Sequence, residues 1–323
     1  MHFIFTEVYP GTSGASFIDY IVADKYVIPP EHAKSYTEKI ILLPRSYQIN
    51  HYRLHSYSKA FKRGNIKKFH NSEVDVKRYN NDPIIRGSEE WKLLRIEAGL
   101  DPSYDIFVFT NFNKQEKLEP LVFSVWMQIL SQVPNSVLWL LEPSKRDENK
   151  ESSFQLLNEL RMAASAAGIK SSRILFAPRV SKELHLKRSA AADIFLDSFI
   201  YGAHSTCTDS LMAGLPMLTL TGDHFASRVA TSLLRYAELG IDDVLVAYSI
   251  KDYTNIAVSM ARDCQMHGFE TCLLSRVRHK LAKGIHESNL LNGELYLEEF
   301  VRLSKSLWEV QIQHESVMNI VIP

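Results

Sequence analysis

Hydroxyl, imidazole and carboxylate side chains crowd into one short stretch. Ser205 and Thr206 open a segment of helical spacing that ends near Gly214, just before Pro216, directly behind the small-residue turn Tyr201-Gly202-Ala203-His204. A turn running into a helix N-terminus is a ready anion site, because unpaired backbone N–H groups and the helix dipole face it. The plainer reading of Ser205 and Thr206 is a simple helix cap. His204 and Asp209 stand on either side of that start, and each has a bland alternative as a turn histidine or a surface ion-pair partner. Upstream, Lys182, His185 and Arg188 recur at i, i+3 and i+6 and share one helix face, either a binding surface or a solvated basic face.

The elements that must carry these residues alternate regularly. Apolar runs at Asp105–Thr110, Val137–Leu141, Arg173–Phe176, Ala192–Asp197 and Met217–Leu220 predict strands, and Leu121–Gln132, Ser153–Ala167 and Ser181–Ala192 predict helices between them. Such alternation predicts an α/β protein with a parallel sheet covered on both faces. Further strands are expected at His2–Val8, Phe17–Asp24 and Lys39–Pro44. Further helices are expected at Pro29–Tyr36, Glu89–Ala98, Phe225–Leu239, Lys251–Cys264 and Leu291–Gln313. Pro10, Gly11, Thr12, Ser13 and Gly14 read as a turn. Val317 to Pro323 has no pattern that assigns it. From His51 to Asn81 the chain is rich in Lys, Arg, Tyr, His and Asn. Such a mixture can bind nucleic acid but more commonly marks a solvated linker, the reading taken here.

Composition narrows the class. Of 323 residues, 46% are hydrophobic and 23% charged, as in an ordinary globular protein. Lys plus Arg and Asp plus Glu are each 37, so overall charge points to neither a nucleic-acid nor an anionic-membrane partner. No apolar run reaches the roughly 20 residues that span a bilayer, and the N-terminus lacks the features of a signal peptide. The cysteines number only three, in no metal-binding spacing, which suits a reducing compartment.

Four ordered motifs carry a resemblance. They are Tyr9 to Ala15 (YPGTSGA), Asn111 to Pro120 (NFNKQEKLEP), Lys182 to Arg188 (KELHLKR) and Ala203 to Pro216 (AHSTCTDSLMAGLP). Together they resemble glycosyltransferase family 41, the O-GlcNAc transferases, over most of the chain except roughly 53–86 and the C-terminal tail. The short stretch after Arg53 is similar to that of plant-type members. The resemblance implies a GT-B fold: a Rossmann-like carboxy-terminal lobe preceded by a partial amino-terminal lobe. It divides the chain into a remnant of the amino-terminal lobe (1–52), a basic linker and helix (53–98), a nucleotide-sugar-binding lobe (99–290) and a terminal helix and tail (291–323).

The implied activity is inverting transfer of N-acetylglucosamine from UDP-GlcNAc to Ser or Thr hydroxyls of cytoplasmic or nuclear proteins. It needs no metal and no cofactor beyond the donor substrate, and no membrane partner. Lys117 would stabilise charge on the leaving diphosphate. Ser205, Thr206 and His204 would meet the phosphates, and Asp209 the ribose. Lys182 and His185 would meet ribose and uracil, supported by Arg188. Lys114 stands where the family has glutamine, with Gln115 beside it, and Arg45 where the family commonly has histidine. The turn Pro10–Gly14 would face the cleft. The family's proposed bases and its helical repeats lie upstream of these motifs, so the sequence is expected to be a partial version of a longer protein. Two other functions remain open at this point: O-fucosyl transfer from GDP-fucose, and a non-catalytic nucleotide-sugar-binding or scaffold role.

Overall fold

The computed structural model describes residues 3–5, 9–50, 86, 88–103, 105–143, 150–313 and 318–322. The basic stretch at 51–81 lies outside them.

Two parallel sheets form the frame. The first has the order β1-β2-β3-β10, from β1 (Phe3–Phe5), β2 (Tyr20–Asp24), β3 (Lys39–Leu43) and β10 (Ile320–Val321). The second has the order β6-β5-β4-β7-β8-β9. It comprises β4 (Phe107–Asn111), β5 (Ser136–Leu141), β6 (Ile174–Ala177), β7 (Ile194–Leu196), β8 (Met217–Leu220) and β9 (Val246–Ala247). Strands such as β4, buried at every residue, explain why the sequence shows continuous apolar runs and not alternation.

The helices are α1 (Glu89–Glu97), α2 (Pro120–Gln132), α3 (Lys150–Ala166), α4 (Lys182–Ser189) and α5 (Ser205–Met212). They continue as α6 (Val229–Tyr236), α7 (Asp242–Leu245), α8 (Ile250–His267), α9 (Leu273–Gly284) and α10 (Gly293–Ile312). Local chemistry starts them where the sequence indicates. The Ser88 side chain accepts from Trp91 N at the head of α1, Ser181 does the same from Leu184 N for α4, and Pro120 occupies the first turn of α2.

The second sheet's order positions the candidate site. Counted from β4, its strands run 3-2-1-4-5-6, so the winding reverses between β4 and β7. At such a switch point the loops leaving the two strands diverge and open a crevice at their carboxyl ends.

Several expectations shift. Pro30–Ser35 forms a 3-10 turn, not an α-helix. The helix expected over Phe225–Leu239 breaks at Arg228 into a 3-10 turn (Phe225–Ser227) and α6. The Arg228 side chain there leaves for the first sheet, with Nε donating to the Tyr26 carbonyl at 2.7 Å. The uninterpreted tail forms β10. Its Ile320 and Val321 pair with Ile41 and Leu42, and Asn319 Oδ1 accepts from Ile40 N at 2.9 Å. Cys264 and Cys272 form a disulfide between the end of α8 and the start of α9, a pairing that the scarcity of cysteine does not suggest; Cys207 is free and buried. Among the described residues no helix is long and apolar enough to cross a membrane.

Candidate functional site

The crevice between β4 and β7 is built around a buried carboxylate. Asp197 immediately follows β7 and has no exposure to solvent. Its Oδ1 accepts from Ala203 N at 2.8 Å, Ser198 N at 2.9 Å and Asn113 Nδ2 at 3.1 Å, and its Oδ2 accepts from Thr219 Oγ1 at 2.9 Å. These bonds fold residues 198–203 into a tight turn over the end of the sheet. The turn needs glycine at 202, where an added Cβ would lie 2.9 Å from Asp197 Oδ2. Burial raises the Asp197 carboxyl above its usual range, and Lys117 draws it back.

Lys117 reaches that turn from the 3-10 segment Gln115–Lys117, which follows β4. Its Nζ donates to the Gly202 carbonyl at 2.6 Å and lies 4.0 Å from the centre of the Tyr201 ring. Burial lowers the ammonium's pKa, Asp197 opposes the shift, and Lys114 reinforces it. Lys114 itself is exposed at the head of the same segment. The Gln115 side-chain amide bonds the Leu141 carbonyl at the end of β5.

Behind the turn, α5 presents its first N–H groups, with Ser205 exposed and Thr206 partly so. His204 occupies the cap position but makes no side-chain cap. Its Nε2 lies 3.2 Å from the Ala226 carbonyl, and its ring is 4.9 Å from that of Tyr201. Burial, together with the Lys117 charge, lowers His204 to about 4. A neutral ring facing a carbonyl carries its proton on Nε2, which leaves Nδ1 as an acceptor. In this arrangement the ring proton expected for a phosphate oxygen is already given to Ala226.

One turn into α5, Asp209 pairs with Lys182 at the head of α4. Burial pushes Asp209 up to about 7 and Lys182 down to about 8. Asp209 Oδ1 is buried without a donor. On the same face of α4, His185 packs edge-on against Phe112 at 4.9 Å, and its Nδ1 lies 3.0 Å from Arg188 Nη2. Burial and the Arg188 charge lower His185 to about 4. The guanidinium can only donate, so Nδ1 accepts and the ring proton sits on Nε2. Arg188 is held in turn by the Pro178 carbonyl and the Phe112 and Trp139 rings.

Loops from β4, β6 and β7 thus bring Lys114, Lys117, Lys182, His185, Arg188, His204, Ser205, Thr206 and Asp209 to one edge of the second sheet. The turn Pro10–Gly14 goes elsewhere. Thr12 Oγ1 and Ser13 N each donate to the Glu38 carboxylate at 2.6 Å, with Ser13 Oγ at 2.5 Å. Glu38 immediately precedes β3, at the amino-terminal edge of the first sheet. Burial would raise this carboxyl, but the bonds from Ser13 and Thr12 outweigh it and bring it down to about 2. Sequence reasoning gave no role to the residues that organise the turns: Asp197, Asn113, Tyr201 and Ala226 here, and Glu38 there. Asn113 and Tyr201 lie within segments that the sequence singled out, and Asp197 closes an apolar run; Ala226 and Glu38 carry no such mark. Among the described residues no group of three or more His, Cys, Asp or Glu side chains is gathered as for a metal ion.

Comparison with known proteins places this edge in context. The family described as glycosyl transferase family 41 matches residues 4–98 and 93–300. The chain is 34% identical over 255 residues to the probable UDP-N-acetylglucosamine–peptide N-acetylglucosaminyltransferase SEC of Arabidopsis thaliana, covering 78% of this chain and 22% of that protein. It is 28% identical over 390 residues to the UDP-N-acetylglucosamine–peptide N-acetylglucosaminyltransferase of Caenorhabditis elegans, covering 97% of this chain and 32% of that one. The chain therefore spans less than a third of either relative's length. A solved O-GlcNAc transferase mutant from Thermobaculum terrenum superposes with a TM-score of 0.68 at 23% identity, over 94% of this chain and 48% of that one. At that identity the likeness is one of fold, the paired parallel sheets of a GT-B glycosyltransferase.

Proposed function

The chain belongs to glycosyl transferase family 41, and on that premise we propose that it supplies the nucleotide-sugar side of an O-GlcNAc transferase. The reaction is transfer of N-acetylglucosamine from UDP to Ser or Thr hydroxyls of proteins, with inversion. One observation carries the reading: Lys117 and the head of α5 converge on the turn at Gly202, at the switch point of the second sheet.

A uridine diphosphate sugar fits that edge group by group. The N–H groups at Ser205 and Thr206 suit the diphosphate. Lys117 lies beside them, and its positive charge counts most as the bond from the sugar to the diphosphate breaks and the departing phosphate gains charge. The Lys182–Asp209 pair offers the ribose an ammonium donor and an unused carboxylate oxygen. His185, its tautomer set by Arg188, presents an Nε2–H to the base. His204, with Nδ1 left as an acceptor, suits a hydroxyl of the donor better than a phosphate oxygen. The base that takes the acceptor's proton is not assigned to a residue of this chain.

The division of the chain at 52, 98 and 290 goes with this reading, as do cytoplasmic or nuclear acceptors and independence of metal. The Cys264–Cys272 disulfide pulls against a reducing compartment, since such bonds persist mainly in oxidising ones.

Calorimetric titration tests the donor. UDP is expected to bind more tightly than GDP, with the same affinity in EDTA. Equal or reversed preference would favour the GDP-fucose branch, and a strict metal requirement would contradict the metal-free site.

A further inference from the structure

A cavity with polar walls lies where the chain leaving the first sheet meets the chain returning to it. Arg45, Gln48 and Asn50 line it after β3, and Asn292, Tyr296 and Glu299 line it from the head of α10. It holds about 20 Å³, room for one water-sized occupant.

Its walls are short of donors. Glu299 is fully buried; its Oε1 is paired with Arg45, and its Oε2 has no donor. Gln48 Oε1 and Asn50 Oδ1 are also buried without a donor. The Asn50 amide cannot be turned round to relieve this, because its Nδ2 donates to the Leu290 carbonyl at 2.6 Å. Arg45 meets one oxygen only, its Nε lying 2.7 Å from Glu299 Oε1, and Glu299 Oε2, Gln48 Oε1 and Asn50 Oδ1 are left unmet. Burial holds the Glu299 carboxyl above its usual range, while Arg45 and Arg302 draw it back and Glu298 adds to the rise. Tyr236, on α6, is also within electrostatic reach of Glu299 and Arg45. Buried acceptors of this kind cost free energy until a donor or a positive charge meets them.

Carboxylate and amide oxygens are ligands for hard cations. A single carboxylate, partly balanced by Arg45, does not match a divalent ion, whose sites gather more negative charge or several waters. We infer that this cavity binds one alkali-metal cation, held by Glu299, Gln48 and Asn50. Such an ion would join residues 45–50 to the segment that begins α10, and so fasten the first sheet to the helix that leads into β10. The inference does not depend on the nucleotide reading.

Thermal melting at constant ionic strength tests it, in sodium, potassium or choline chloride. The melting temperature is expected to be about 2–4 °C higher in at least one alkali chloride than in choline chloride. The difference should vanish in Glu299→Gln and shrink in Gln48→Leu, which serves if the first variant does not fold. Equal melting in all three salts would overturn the proposal and leave the cavity to water. A difference that persists undiminished in a folded variant would overturn it as well, since the effect would then be one of salt in general.

Discussion

Two aspartates bracket the same three-residue strand, and the protein treats them in opposite ways. Asp193 precedes β7 and Asp197 follows it, so they lie at opposite edges of the second sheet. Both are buried. Asp193 sits among arginines. Its Oδ1 pairs with Arg86 Nη1, and its Oδ2 with Arg95 Nη2 at 2.9 Å and with Val108 N. Arg278 closes the group from the carbonyls of Ala190, Ala192 and Asp193. Asp197 has neutral donors and a single ammonium nearby, Lys117, which rests on a carbonyl at the mouth of the crevice. In the first arrangement guanidinium and amide donors take both oxygens of the carboxylate, and the arginines that outnumber it rest on backbone carbonyls, which serves stability. The second holds a turn in shape and keeps Lys117 beside the head of α5, where the proposed function puts the diphosphate. A buried carboxylate is therefore no sign of function; what matters is whether its counter-charges are spent.

The largest expected effect breaks the first edge. Asp193→Ala leaves Arg86 and Arg95 buried without their carboxylate, a loss of about 3–5 kcal/mol, or a melting temperature lower by about 10 °C. UDP affinity in the folded remainder should stay near that of the parent. A variant that melts like the parent would show that the arginines are held by other means.

At the other edge the effect falls on binding. Asp209→Asn should weaken UDP about tenfold, as expected for loss of one charged hydrogen bond, with melting little changed. The pH profile gives a finer test. Asp209 stands at about 7, and only its ionised form accepts on both oxygens. Affinity should therefore rise as pH passes upward through 7, and the rise should flatten in the Asn variant. Melting that drops steeply while affinity holds would make Asp209 a purely structural partner of Lys182.

The same contrast explains what the sequence could reveal. Strands β4 to β8 of the second sheet and the helix at Ser205 are local patterns, and they appear in the structure within a few residues of where periodicity places them, whereas the two-residue β9 is too short to show one. Lys182, His185 and Arg188 could be grouped because one helix face unites them. The Asp193 cluster had no such mark, since Arg86 lies 107 residues away and Arg95 lies 98 away. Glu38 meets the Thr12–Ser13 turn across 25 residues, with nothing in either segment to announce the other. In β10 two residues pair with an edge of the first sheet, too few for any pattern to form. Long-range partners chosen by packing are what the sequence withholds.

Lys117→Met tests the central claim most directly, because it keeps the side chain's length and removes the charge at the turn. In the full-length protein, UDP affinity should fall no more than about threefold, because the helix head, Asp209 and His185 still hold the nucleotide. Transfer of the sugar should drop about a hundred- to a thousandfold. A Met variant that transfers at near the parental rate would contradict the account, and would mean that the charge held over Tyr201 and Gly202 does not serve the chemistry.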